Sequence, residues 1–261
     1  MFGVIPRVLW EKTTTPDEIN RIRLGLNCLL VRTESKNILV DTGCGDKYSE
    51  KQLRIYGIDS TASLFQELER VRITPSEIDL VINTHLHFDH CGGNTRVVDG
   101  NPVPSFPNAT YLVSAQEYKD ANSANERTRA SYFQHNWAPL EETGQMRLIT
   151  GEEEVQPGIT VLHTPGHTLG HQSVKISSGG QTMFFFGDLC PTAAHVPLPW
   201  IMSYDLFPLT TLETRKKIYR RAVEEDWLVV FEHDPHCAAG RLKHEDGKYS
   251  VEPVDFTSPA I

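Results

Sequence analysis

No apolar run in the sequence approaches the roughly 18 residues that a membrane-spanning helix requires. Gly-X-Y periods, sustained heptads and internal repeats are absent too, which excludes collagen, coiled coil and solenoid. Positive charge is scarce. Against 34 Asp and Glu stand 25 Lys and Arg, a formal charge of −9. That balance argues against nucleic acid or an anionic membrane as partner, because either would be repelled at long range. Cysteine is sparse as well. The five thiols (Cys28, Cys44, Cys91, Cys190 and Cys237) contain no Cys-x-x-Cys pair and are odd in number. They favour free thiols in a reducing compartment, so a cytoplasmic location is expected. The segment Met1 to Trp10 is apolar but short, carries Arg7 and lacks a basic region ahead of it, so it does not read as a signal peptide.

What is present is a globular mixture, 39% apolar and 23% charged. A chain of 261 residues can bury a large core without staples. β-rich runs punctuated by Gly, Pro, Asn or Asp are expected at 26–32, 37–41, 78–83, 109–114, 146–150, 159–163, 172–176, 182–186 and 228–232. Helical patterns fall at 61–71, 115–122, 126–137 and 211–224. Thr74/Glu77 and Thr210/Glu213 have the form of capping boxes. In the last helix Leu209, Leu212, Tyr219 and Ala222 make an apolar stripe, and the basic run Arg215-Lys216-Lys217 with Arg220-Arg221 reads as its solvated face. Clusters of strands with helices between them suggest two mixed sheets covered by helices, an α/β (α+β) architecture. The expected organisation is a single domain over 1–261, with residues 1–25 as a pocket-rim or dimer segment.

The chemistry concentrates where strands end. The run at 78–83 leads into Thr84-His85-Leu86-His87-Phe88-Asp89-His90-Cys91-Gly92-Gly93. Three imidazoles and a carboxylate within six residues are poorly explained by packing, because they are costly to bury unpaired. Alternation along an extended segment sends His85 and His87 to one side, so two nitrogens can converge on one ion. Asp89 and His90 then turn the corner and can face a second ion. Imidazole and carboxylate suit zinc and its borderline neighbours. Further strand endings carry His167 in Pro165-Gly166-His167-Thr168-Leu169-Gly170-His171, Asp188 in Gly187-Asp188, and His233 in Glu232-His233-Asp234.

With Asp41-Thr42-Gly43 these elements resemble the metallo-β-lactamase-fold hydrolases, in that family's order, from Asp41 to His233. The resemblance implies a four-layer αββα sandwich holding two divalent metal ions, expected to be Zn2+. It implies that His85, His87 and His167 hold the first ion, that Asp89, His90 and His233 hold the second, and that Asp188 bridges both. Asp41 then orients a ligand by hydrogen bond. The branch most similar is that of the quorum-quenching acyl-homoserine lactonases, which also resembles methyl parathion hydrolase. The stretches Phe2-Gly3-Val4-Ile5-Pro6, Phe106-Pro107-Asn108-Ala109, Asn136-Trp137 and Asp188-Leu189-Cys190-Pro191 carry that likeness. One departure is Pro191, where acyl-homoserine lactonases have a tyrosine that assists the substrate carbonyl.

The remaining residues divide into candidates and bystanders. His171 is expected to brace the turn after His167, and His163 to be a strand residue. His236 is a rival to His233, and Cys91 and Cys190 read as spectators. His195 could make a polar contact to substrate. Phe106, Trp200, Met202 and Tyr204, interleaved with prolines, read as an apolar wall over the metals and imply a hydrophobic substrate. Two ions flanked by imidazole and carboxylate would bring the pKa of a shared water toward neutrality for attack on an ester or lactone carbonyl. Asp89 is the expected carboxylate to take the nucleophile's proton. The reading is a metal-dependent hydrolase of small hydrophobic lactones and esters, with no nucleic-acid or membrane partner and a possible homodimer. The alternative is a phosphotriesterase or arylesterase resembling methyl parathion hydrolase. A glutathione-thioester hydrolase would need a further helical domain. A persulfide dioxygenase would leave His90 and His233 idle, and a metal-binding sensor would turn nothing over.

Overall fold

A computed structural model describes residues 1–59, 61 and 63–254. The chain divides into two compact units, Cys28–Thr150 and Met1–Asn27 together with Gly151–Ile261.

The first unit is built on a five-stranded sheet in the order Leu29–Arg32, Asn37–Val40, Leu80–Ile82, Thr110–Ser114, Met146–Ile149. The first two strands form an antiparallel hairpin and the others pair in parallel. Parallel strands require crossovers, which the helices Glu50–Tyr56, Leu64–Arg70, Phe88–Cys91 and Ala115–Asn122 help to supply. Leu80–Ile82 is apolar and buried at all three positions, as a central parallel strand should be. Its C-terminal end runs directly into the histidine segment. Leu39, Val81, Leu86, Tyr111, Val113 and Trp137 form part of the core beneath.

The second unit holds a seven-stranded sheet whose spatial order follows the sequence, from Glu153–Gln156 through Ile159–His163, Gln172–Ser178, Gln181–Phe185, Leu228–Val230 and Ala239–Glu245 to Lys248–Pro253. Only Gln181–Phe185 and Leu228–Val230 pair in parallel. The crossover between them contains the helix Pro208–Glu224. Phe184, Phe186, Tyr219, Trp227, Val229 and Phe231 form the core between that helix and the sheet. In the parallel pair Phe185 lies opposite Val230. Asp188 and His233 each follow three residues later, so equal offsets from one register bring them out together.

Several expectations are corrected. Residues 126–137 form turns with one short 3-10 helix, Gln134–Asn136, because tertiary bonds claim the backbone and side chains there. Phe88 donates its N–H to the Ser131 carbonyl, and the Tyr132 hydroxyl reaches Glu117. The helix expected over 61–71 spans Leu64–Arg70, with residue 62 outside the described residues. The capping box at Thr74/Glu77 is present, whereas Thr210 and Glu213 lie inside a helix that starts at Pro208 with Phe207 before it. In that helix Leu209 is exposed and Arg215 is fully buried, so the core face runs through Thr211, Arg215, Ile218, Tyr219 and Ala222. Arg215 therefore leaves the solvated face to which its basic neighbours assigned it. Among the described residues no helix is long and apolar enough to cross a membrane.

Candidate metal centre

In the unit Cys28–Thr150, alternation works as expected. Leu86 enters the core while His85 and His87 turn to the other side, with ring centroids 4.5 Å apart. His90 lies 4.0 Å from His85, centroid to centroid. His85 and His90 are fully buried, and Asp89 is partly exposed.

Hydrogen bonds fix which nitrogen of the His85 and His90 rings is protonated. Asp41 follows the strand Asn37–Val40 and accepts from Thr84 N (2.7 Å) and Thr84 Oγ1 (2.6 Å). Having donated its proton, the Thr84 hydroxyl accepts from His85 Nδ1 at 3.0 Å. Asp41 also accepts from His90 Nδ1 at 3.1 Å. Both rings therefore carry their proton on Nδ1 and keep the Nε2 lone pair for a ligand. Glu117 shapes the segment from behind, accepting from Leu86 N (3.0 Å) and from the Tyr132 hydroxyl (2.9 Å). Tyr132 in turn packs on the His87 ring at 4.9 Å. Gly92 permits the close approach of the Asp-Thr-Gly loop, since a Cβ there would overlap the Cys44 carbonyl. Lys47, whose pKa burial pushes down to about 8, donates to the carbonyls of Gly92 and Thr95.

The unit with residues 151–254 carries a second cluster. Asp188 opens from the 3-10 turn Gly187–Leu189, and its N–H donates to His171 Nε2 at 3.0 Å. One Asp188 oxygen lies 3.1 Å from His167 Nε2 and the other 3.1 Å from His233 Nε2. His167 Nδ1 donates to Asp205 at 3.0 Å, and His233 Nδ1 donates to the Gly25 carbonyl at 2.9 Å. In the neutral rings both Nε2 lone pairs thus face carboxylate oxygens, acceptor against acceptor. Such contacts call for a cation or a further proton. Two ligand atoms 3.1 Å apart can share an ion at Zn–N and Zn–O distances of about 2.0–2.2 Å. The donor chemistry fits divalent zinc or a borderline neighbour, and the histidines and aspartates of both clusters belong to groups capable of holding a metal.

The family follows from residues 22–233. The profile of the metallo-beta-lactamase superfamily matches residues 22–233. The chain belongs to the metallo-β-lactamase superfamily. Among superfamily relatives, an N-acyl homoserine lactonase from a Bacillus species is 31% identical over 178 residues, and the chain spans 64% of its length. That match covers 64% of this chain. A probable metal-dependent hydrolase from Staphylococcus aureus has a TM-score of 0.88 at 30% identity, covering 97% of this chain and 91% of that one. An N-acyl homoserine lactone hydrolase, solved with N-hexanoyl-L-homoserine bound at its catalytic metal centre, has a TM-score of 0.65 at 27% identity. It covers 82% of this chain and 84% of that one.

The expected pocket residues separate. Phe106 is fully buried in the core, packing on Phe65 and Tyr111. His195 is also fully buried, its Nδ1 2.7 Å from Thr192 Oγ1 and its ring stacked on Phe2 at 4.6 Å. Burial, then the Arg215 charge, pushes its pKa down to about 3, so the ring is neutral. Phe2 lies between His195 and Trp10 and meets the edge of Trp200. Met202 is buried and Tyr204 exposed. In the N-terminal segment Phe2 and Trp10 are buried while Val4, Val8 and Leu9 face outward. His163 is an exposed strand residue bonded to the Leu169 carbonyl. Burial raises the Cys91 and Cys190 pKa values, so both remain inert thiols. The Pro191 carbonyl accepts from His233 N at 2.9 Å.

Sequence reasoning misses Glu117, Asp205 and Arg215. For Arg215 a signal exists, the 3–4 residue spacing that links it to Thr211, Ile218, Tyr219 and Ala222. Asp205 sits in a loop without periodicity and gives no such signal.

Proposed function

We propose that the chain is a dinuclear zinc hydrolase that opens lactones and esters, with N-acyl homoserine lactones as its substrate class. The ligand set in this reading is His85, His87, Asp89, His90, His167, Asp188 and His233. The observation that carries it is the split of the Asp188 carboxylate, one oxygen toward each of two imidazoles whose other nitrogens are committed as donors. A single carboxylate so arranged suits two cations. The lactonases among its relatives support the substrate class.

When bound, the ions would acidify a water and polarise the substrate carbonyl. The chain's own residues prepare for that. Thr84, Asp41 and Asp205 set the tautomers of His85, His90 and His167, so that Nε2 of each is unprotonated without rearrangement. Asp89, the partly exposed carboxylate of the cluster, is assigned to accept the nucleophile's proton and return one to the leaving alkoxide. Trp200, Met202 and Tyr204 are assigned to contact the acyl chain. Pro191 offers no side-chain donor at the tyrosine's position.

The test is elemental analysis followed by a panel of acyl-homoserine lactones, aryl esters and a nitrophenyl phosphotriester. Two divalent ions per chain and lactone opening are expected. Fast phosphotriester cleavage without lactone opening would replace this reading by a phosphotriesterase. One iron per chain without hydrolysis would remove it.

A further inference from the structure

Asp205 lies in the loop 201–207, a segment otherwise notable for apolar residues. Two backbone bonds clamp this loop beside the histidine turn, Leu206 N to the His167 carbonyl (3.0 Å) and Phe207 N to the Gly166 carbonyl (2.9 Å). The clamp depends on Gly166, whose φ is +146° and whose added Cβ would overlap Thr211. Asp205 is thereby fixed under His167, with its carboxylate buried and one oxygen 3.0 Å from Nδ1. The other oxygen is buried and makes no hydrogen bond. The buried Arg215 guanidinium interacts with it electrostatically and so supplies compensating charge.

A carboxylate can only accept. It therefore selects the His167 tautomer that is protonated on Nδ1 and unprotonated on Nε2, the state a metal ligand needs. An amide at this place would allow both tautomers. In the wrong one, Nε2–H would donate to Asp188, which lies 3.1 Å away. Both His167 and the bridging carboxylate would then be occupied by each other.

We propose that Asp205 is the positioning residue for His167, holding its ring and tautomer for metal and so making metal occupancy depend on the loop 201–207. The inference rests on His167 being a ligand, as in the function proposed above. Its test uses the full chain as wild type, Asp205→Asn and Asp205→Ala. Zinc affinity is measured by competition with a chromophoric chelator, the cobalt(II) visible spectrum is recorded, and the metal-free melting temperature is taken for each.

Asp205→Asn should weaken zinc binding about 10- to 100-fold and alter the cobalt spectrum, with metal-free melting lowered by less than that affinity loss would predict. Asp205→Ala should weaken it at least as much. Affinities and spectra equal to wild type in both variants would overturn the proposal. So would an affinity loss that tracks a matching loss of metal-free stability with an unchanged cobalt spectrum, since that is a structural role. A wild-type chain that takes up neither metal would instead remove the functional reading, and this inference with it.

Discussion

Substituting Asp41 by Asn tests the tautomer argument at its most connected point. The carboxylate accepts from Thr84 N, Thr84 Oγ1 and His90 Nδ1 at 2.7, 2.6 and 3.1 Å, and all three residues are buried. Asn tolerates the positive φ of 57° at this position, so the backbone adds no new penalty. Its Oδ1 can still serve Thr84 N, but its amide would then point hydrogens at the Thr84 hydroxyl and at His90 Nδ1. The hydroxyl loses its acceptor, His85 loses the partner that fixes its proton, and His90 is pushed to the opposite tautomer. Hydrogen bonds to a charged group contribute about 1.5–3 kcal/mol each. Weakening one or two of them should cost about 3 kcal/mol. For a chain of this size that is roughly 6–12 °C in metal-free melting temperature. Zinc affinity should fall by at least about tenfold, since two of the proposed ligand rings are affected. Circular dichroism melts of chelator-treated protein and chelator competition read the two effects separately. An Asn variant that melts within about 2 °C of wild type and binds zinc equally well would refute the reasoning.

Other outcomes follow from the same geometry. Asp188→Ala should reduce metal content and hydrolysis together, whereas Cys190→Ser should leave the metal content of purified protein unchanged; loss of metal in the serine variant would reassign the bridge. His195 is neutral in the fold, with a pKa near 3 against about 6.5 when unfolded, so acidification from pH 6.5 toward 3 favours the unfolded chain, which binds the extra proton. Replacement by Gln should flatten the stability–pH slope of metal-free protein in that window by up to about 1.4 kcal/mol per pH unit, and an unchanged slope would show that the ring is not held neutral. Gly166→Ala should cost several kcal/mol, because strain at positive φ contributes about 1–3 kcal/mol before the overlap with Thr211 is relieved; chemical denaturation measures it. Acyl-homoserine lactones of increasing chain length should bind about fourfold tighter per added methylene, following about 0.8 kcal/mol each, and flat inhibition constants across the series would remove Trp200, Met202 and Tyr204 from the acyl site.

The His85–His90 run is legible in the sequence because imidazoles and a carboxylate so close together at a strand end have no packing explanation. The parallel strands that present the site are legible for a related reason, being short apolar runs ending at polar residues. Two hairpins outside the expected runs, Thr95–Val98 with Asn101–Pro104 and Ala239–Glu245 with Lys248–Pro253, carry a local signal in Asp99-Gly100 and Asp246-Gly247. These pairs take positive φ at both positions, as tight hairpin turns require. Their strands alternate too weakly for hydropathy to single them out. Residues 126–137 fail differently, since local helix preference gives way to tertiary bonds with Phe88 and Glu117, outside the segment. The placement of Asp205 beside His167 depends on a loop docking 38 residues downstream, which no local pattern encodes.

Arg215 donates from Nε to the Leu189 carbonyl at 2.6 Å and from Nη1 to the carbonyls of His195 and Trp200 at 2.9 and 3.0 Å. All three acceptors are main-chain atoms, which every residue type provides. The loop is therefore tethered at both ends without using its own side chains, and Pro197, Leu198 and Pro199 between the tethers are at most partly buried. Exchanges at these positions leave the anchorage beside Asp188 in place. A lineage carrying this arginine can vary what the loop displays while the residues assigned to the metal remain where they are.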